Sequence, residues 1–172
     1  MKKLLSLAVS VVVLVLCTGQ LRAANWPQWR GPRLNGSSPE TDLPTTFGPE
    51  ENVAWKKKLP GTGGSTPIIW GNRIFVSAQA EDKTTMAICL SAENGSVLWK
   101  RDVGEGYVNR RLVTACTPSA VTDGDSVWFL YGNGDLVSFD MDGNELWRRD
   151  LAQGHGKWEV RWDYGASPLL WD

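Results

Sequence analysis

The chain has 172 residues, of which 22% are charged, and a formal net charge of −1 at pH 7. Its charges are mixed in sign with no basic run, so we expect no nucleic-acid partner. Ten Trp, 18 Gly and 9 Pro favour a single turn-rich, all-β domain over a helical one.

The first 24 residues predict a secretory signal peptide. A basic start at Lys2 and Lys3 precedes an apolar run over residues 4–17, and small residues stand at Ala23 and Ala24. The run is shorter than the roughly 20 residues of a membrane span, so an uncleaved anchor is the weaker alternative. A lipoprotein is weaker again, because a leucine precedes the cysteine that ends the run. We therefore expect a periplasmic or secreted protein from residue 25 onward, with membrane contact only through an uncleaved signal.

Two sequence markers recur about every 50 residues beyond the leader. The first is a Ser-Pro or Thr-Pro pair, at residues 66–67, 117–118 and 167–168. The second is a tryptophan that closes a unit, at Trp55, Trp99 and Trp147. Two independent markers with nearly the same period indicate an internal structural repeat.

Between the markers, tight-turn pairs divide each unit into four short apolar runs. In the first full unit the predicted strands lie at about 66–70, 73–79, 85–91 and 97–103. In the second unit they lie at about 118–122, 126–130, 135–140 and 145–151. No sustained helical periodicity follows residue 24. The sequence predicts units at about 66–103 and 117–151, with a third starting at 166.

Four antiparallel strands in a unit of this length are typical of a β-propeller blade. A blade has two apolar faces and cannot bury both alone, so blades stack around an axis. We predict an all-β, partial β-propeller with two full blades and pieces of the flanking ones. Large indole rings suit the gaps between blades. The predicted blade-docking residues are Trp55, Trp99 and Trp147 with the turn glycines Gly95 and Gly143.

Two stretches resemble a known family. The segment Ala92–Trp99 resembles the tryptophan-docking motif of PQQ-like (pyrroloquinoline-quinone-type) repeats, and Asp140–Trp147 is similar. The opening Trp26–Pro32, followed by Gly36 and Ser37, resembles that of planctomycete-type exported PQQ-like proteins. The resemblance implies a BamB-like fold of the quinoprotein alcohol dehydrogenase-like superfamily. Such propellers carry seven or eight blades, so we expect an N-terminal fragment of a longer propeller.

The resemblance implies a non-catalytic exported propeller that acts as a binding or scaffold module. The alternatives are a fragment of a quinoprotein (PQQ-dependent) dehydrogenase and the sensor ectodomain of a kinase-linked protein. Those dehydrogenases commonly carry a vicinal cysteine pair, whereas Cys89 and Cys116 are far apart and read as buried thiols or, less readily, a disulfide. The single histidine, His155, lies in a glycine-flanked loop, and Gly143 is misplaced for an EF-hand. We predict no catalytic, cofactor-binding or metal-binding residues and no cofactor.

Two connections between predicted blades are rich in aromatic and arginine side chains, which recognition surfaces favour. Connections of a propeller gather at one end of its channel, where ligands usually bind. The candidate surface for an unknown protein or small-molecule ligand consists of Tyr107, Arg110, Arg111, Trp158, Arg161 and Trp162. The alternative is that these rings only cap the blade stack.

Overall fold

The computed structural model describes residues 24–41, 43–107, 114–156 and 164–171. Within these ranges the chain forms two four-stranded antiparallel sheets and one short helix. The first sheet contains β1 (Ile68–Trp70), β2 (Arg73–Gln79), β3 (Thr84–Ser91) and β4 (Val97–Glu105), in that spatial order. The second contains β5 (Val121–Thr122), β6 (Ser126–Leu130), β7 (Asp135–Asp140) and β8 (Glu145–Asp150), again in chain order. The predicted signal peptide lies outside the described residues.

The two sheets confirm the predicted all-β fold of four-stranded antiparallel blades. Both first strands begin later than expected, since β1 starts at Ile68 and β5 at Val121. The prolines that precede them, Pro67 and Pro118, have no N–H to give to a sheet ladder. The unit boundaries, including a third unit from residue 166, stay a prediction.

A helix at the end of the second sheet was not predicted. The sequence places a strand up to Leu151 and no helix, whereas α1 spans Leu151–His155. The strand ends because the Asp150 carboxylate accepts a hydrogen bond from the Gln153 backbone N–H at 3.0 Å and caps the helix. Gly156, with φ +81°, ends the turn.

The main core lies at the seam between the two sheets. Phe75 and Trp99 of the first sheet meet Phe129 and Phe139 of the second, and the Trp99 ring centroid is 5.6 Å from that of Phe139. A smaller apolar cluster covers the opposite face of the first sheet. Because side chains alternate between the faces of a strand, one sheet supplies both clusters. Its strand β3 is buried almost throughout.

An N-terminal segment joins the inner strands of the two sheets. The Trp26 backbone exchanges two 2.8 Å hydrogen bonds with Ile69 of β1. The next residue, Pro27, accepts a 2.9 Å hydrogen bond from the Thr122 N–H of β5. The opening motif therefore covers an edge of β1 that would otherwise offer unpaired backbone groups.

Candidate functional site

Strands β4 and β8 carry the same irregularity beside their tryptophans. The register between β3 and β4 shifts just before Trp99 and leaves Leu98 without an opposite residue. The register between β7 and β8 shifts in the same way and leaves Leu146 without one before Trp147. Such a bulge bends a strand and redirects the side chains that follow. Both units therefore present their tryptophan by the same local device.

The Trp99 ring docks on a tight turn of the second sheet. Only 6% of the residue is exposed, and its indole N–H donates to the Met141 carbonyl at 3.0 Å. Gly143 lies under the ring with φ +81°, and a Cβ added there would be 2.6 Å from a ring atom. The turn thus needs glycine both for its backbone conformation and for the close approach.

Trp55 makes the same contact one unit earlier. Its indole N–H donates to the Ala92 carbonyl at 2.9 Å. A Cβ on Gly95, where φ is +69°, would be 2.6 Å from the ring. The segment before the first sheet therefore docks on that sheet as the first sheet docks on the second.

Sequence reasoning missed a second tryptophan contact at the seam. Trp70, at the end of β1, covers Gly124 so closely that a Cβ there would be 2.4 Å from the ring. The available signal was the Asp-Gly turn at residues 123–124, which aligns with the turn after Trp70 in the repeat. It was read only as a hairpin.

An arginine two residues after the docked tryptophan was also missed. The Arg101 Nε donates to the Gly143 carbonyl at 2.7 Å. Its guanidinium carbon lies 5.9 Å from the Trp99 ring centroid, within cation–π range. Trp99 and Arg101 therefore hold two carbonyls of one turn.

Trp147 has no such turn against it in the described part of the chain. It is 40% exposed, and its neighbour Leu146 is 53% exposed. Arg149 lies over its ring, with the guanidinium carbon 5.6 Å from the centroid. The expected wedge between blades is thus observed for Trp55 and Trp99, whereas the equivalent face of β8 is open.

Polar contacts continue the seam towards the start of each unit. The Thr66 N–H donates to the Ser119 hydroxyl at 2.8 Å, and the Ser119 N–H donates to the Ser167 hydroxyl at 2.9 Å. At the opposite end, Arg73 of β2 pairs with Asp142 of the docked turn at 2.9 Å. The starts of three successive units are therefore linked by side-chain hydroxyls.

The candidate ligand surface is described in only one of its residues. Tyr107 is partly buried, and its carbonyl accepts a 3.1 Å hydrogen bond from the Gln79 side chain. The buried Gln79 also accepts from the Ala115 N–H at 3.1 Å, so it ties both ends of this connection to β2. The remaining predicted residues, Arg110, Arg111, Trp158, Arg161 and Trp162, lie outside the described residues. That surface stays a prediction.

The two cysteines are free and buried rather than bonded to each other. Burial raises the pKa of the Cys89 and Cys116 thiols to about 12. Both thiols therefore stay protonated at neutral pH, and a protonated thiol is a poor nucleophile. Among the described residues, no group of three His, Cys, Asp or Glu side chains is placed to hold a metal ion.

Two surface clefts lie away from the seam. A cleft of about 670 Å³ is lined by residues 58–62 and 79–82, beside the β2–β3 turn. A second, of about 560 Å³, lies between the N-terminal segment and the β1–β2 turn, with Arg73 on its wall. In the ranges that the structure covers, no helix is both long and apolar enough to span a membrane.

Comparison with known proteins gives one family match. Residues 49–170 match the family described as outer membrane protein assembly factor BamB. Among solved structures, BamB from Moraxella catarrhalis has a TM-score of 0.42 and 16% identity, covering 56% of this chain and 26% of that one. A europium-containing methanol dehydrogenase has a TM-score of 0.37 and 20% identity, covering 48% of this chain and 14% of that one.

Curated relatives include a WD repeat protein. WD repeat-containing protein 35 from Homo sapiens is 25% identical over 119 residues, which is 69% of this chain and 10% of that protein. The Rattus norvegicus protein is 24% identical over 119 residues with the same coverage. The chain therefore spans about a tenth of the length of these relatives.

Proposed function

The chain belongs to the family of the outer membrane protein assembly factor BamB, and from that premise we propose that it is an exported, non-catalytic propeller module that binds or scaffolds another protein. The observation that carries the proposal is the open face of β8. All six residues of this strand are exposed, including Leu146 and Trp147. Exposed aromatic side chains beside arginine are typical of the residues that dominate protein interfaces.

The first sheet provides the comparison that makes this face informative. Leu98 and Leu146 occupy equivalent bulge positions and are 49% and 53% exposed, so their surroundings are alike. Trp99 and Trp147 are also equivalent, yet 6% of one and 40% of the other is exposed. Contact with a neighbouring unit therefore accounts for the burial of Trp99. The β8 surface has the features of a surface that awaits a similar contact.

The chemistry of the described side chains favours binding over catalysis. The thiols of Cys89 and Cys116 are held protonated by burial at neutral pH. The arginines and aromatic rings at the seam are instead occupied with carbonyls and with one another. These groups supply contact area and directional hydrogen bonds, which are the requirements of an interface.

The catalytic alternative is tested with the cofactor of quinoproteins. The protein purified after export is titrated with PQQ in the presence of Ca²⁺, and oxidation of methanol and ethanol is followed with an electron-accepting dye. We expect neither saturable PQQ binding nor dye reduction. Saturable binding accompanied by dye reduction would refute the non-catalytic proposal and favour the quinoprotein alternative. A kinase segment encoded in the same reading frame would favour the sensor alternative.

The binding role is tested by site-specific photo-crosslinking in the native host. A photoreactive phenylalanine analogue replaces Leu146 on the open face, and the matched control carries it at the equivalent Leu98. We expect a discrete protein adduct from position 146 that is reduced by Trp147→Ala, and no such adduct from position 98. Equal labelling at both positions, or none at 146, would contradict a binding role for this face.

Export is tested by the mass and location of the mature chain. The protein is expressed with its own leader, and the cell fractions are analysed by intact mass spectrometry. We expect a periplasmic or secreted product that begins at Asn25. A retained leader would identify a membrane anchor, a lipidated product that begins at Cys17 would identify a lipoprotein, and a cytoplasmic full-length product would contradict export.

A further inference from the structure

The docked seam is a two-point clamp on backbone carbonyls. The indole N–H of Trp99 and the Nε of Arg101 donate to the carbonyls of Met141 and Gly143, at 3.0 Å and 2.7 Å. These acceptors are two residues apart in one turn, and the donors are two residues apart on one strand. The arginine also stacks near the ring, so neither donor has to be ordered separately when the turn binds.

The turn that fills this clamp is rigid in its own right. The Asp140 carboxylate accepts hydrogen bonds from the backbone N–H groups of Asp142 and Asn144, at 2.9 Å and 2.8 Å. The Asn144 amide donates to the same carboxylate at 2.8 Å. An Asp that satisfies the N–H groups of its own turn leaves carbonyls free to face outward. The complement of the clamp is therefore an Asx-containing turn with a glycine under the ring.

A second copy of the clamp is assembled on β8 and has no acceptor in the described residues. Trp147 and Arg149 have the same spacing, follow the same bulge, and stack in the same way, at 5.6 Å. Trp147 remains 40% exposed. Since the local geometry of the two strands is alike, the difference between them is the presence of a bound turn.

We propose that Trp147 and Arg149 bind the tight turn of a β-hairpin of the Asp-Gly or Asn-Gly type, presented by a partner protein unit. The indole N–H and the guanidinium bind two turn carbonyls, and the ring lies on the turn glycine. The cation of Arg149 also suits the acidic side chain of such a turn, as Arg101 lies beside the turn that contains Asp140 and Asp142. This inference rests on the proposed role as a binding module and names the chemistry of its partner.

The probe for this site is the turn that the chain already binds internally. A disulfide-closed peptide carries residues 138–145, since an open hairpin of that length is marginal in water. It is titrated into the full exported protein while the indole N–H signals are followed by ¹H–¹⁵N NMR, and Trp147→Phe assigns the relevant signal. The matched control peptide carries Gly143→Ala, whose added methyl would lie 2.6 Å from a ring in the docked geometry.

We expect the Trp147 signal to move saturably while the Trp99 signal stays in place. The alanine peptide should bind at least tenfold more weakly. Trp147→Phe, which keeps a ring but loses the N–H donor, and Arg149→Lys, which keeps the charge but loses the planar donor, should each weaken binding at least fivefold. Rescue of neither donor by charge or area alone is the signature of a clamp.

Several results would overturn the inference. Equal binding of the glycine and alanine peptides would show a merely apolar surface. The absence of any Trp147 shift at millimolar peptide would exclude turn recognition, and a concentration-dependent shift without peptide would assign the face to a second copy of the chain. An adduct at position 146 without peptide binding would leave the binding role standing and remove only the turn specificity. PQQ-dependent oxidation would refute the proposed function whatever the peptide does.

Discussion

Replacing Gly143 by alanine isolates the energy of the docking contact from the strain of the backbone. Gly143 has φ +81° and lies against the Trp99 ring, where an added Cβ would be 2.6 Å from a ring atom. Gly36 provides the matched control, since its φ is +76° but nothing lies within 4 Å of an added Cβ. Both substitutions place an alanine at positive φ, and only one also displaces a ring.

The expected costs follow from these two terms. A non-glycine residue in the left-handed region costs about 1–2 kcal/mol, which both variants share. Overpacking a well-packed contact adds about 1–3 kcal/mol, which applies to Gly143 alone. We therefore expect Gly143→Ala to lower the free energy of unfolding by about 2–5 kcal/mol and Gly36→Ala by about 1–2 kcal/mol.

Urea unfolding of the exported chain, followed by far-UV circular dichroism, measures both costs. A double-mutant cycle with Trp99→Leu then tests the cause, because a smaller side chain removes most of the obstruction. In that background Gly143→Ala should cost only about as much as Gly36→Ala, which gives a coupling of about 1–3 kcal/mol. Equal costs for the two glycine variants, or purely additive effects in the cycle, would refute the docking argument.

Three further measurements probe the seam, the thiols and the turn. Trp99→Phe loses a buried hydrogen bond worth about 1 kcal/mol as well as ring area, so urea unfolding should show a larger loss of stability than for the exposed Trp147→Phe; equal losses would contradict the assignment of the seam. Because burial raises the pKa of Cys89 and Cys116 from 9.0 to about 12, the folded chain holds these protons more tightly than the unfolded chain. Stability should therefore be insensitive to these groups below pH 9 and fall as the pH rises from 9 towards 12, and alanine at both positions should flatten this decline in thermal unfolding. Hydrogen bonds from the side chain and backbone of the following asparagine lower the pKa of Asp140 below 3.8, so its contribution is present at higher pH and lost on acidification; a ¹³C NMR titration with a midpoint above 3.8 would contradict this turn geometry.

Local chemistry in the sequence was enough to predict the strands. The Asn-Gly and Asp-Gly pairs at residues 94–95, 123–124 and 142–143 mark turns that the structure closes with glycine at positive φ. The one local error, the strand extended to Leu151 in place of α1, depends on a single capping carboxylate at Asp150. A helix of five residues has too little periodicity to be seen in a sequence.

The sequence by itself determined the repeat, the turns and the tryptophans that mark each unit, because these features depend on neighbours along the chain. It could not separate Trp99 from Trp147, since both follow a leucine at the same distance from a turn glycine. Only the tertiary structure placed a turn against the first ring and left the second open, and only it gave Arg101 a carbonyl on the adjacent sheet. Burial and hydrogen-bond partners across a seam depend on which sheets lie side by side, and that arrangement is not encoded in any one segment.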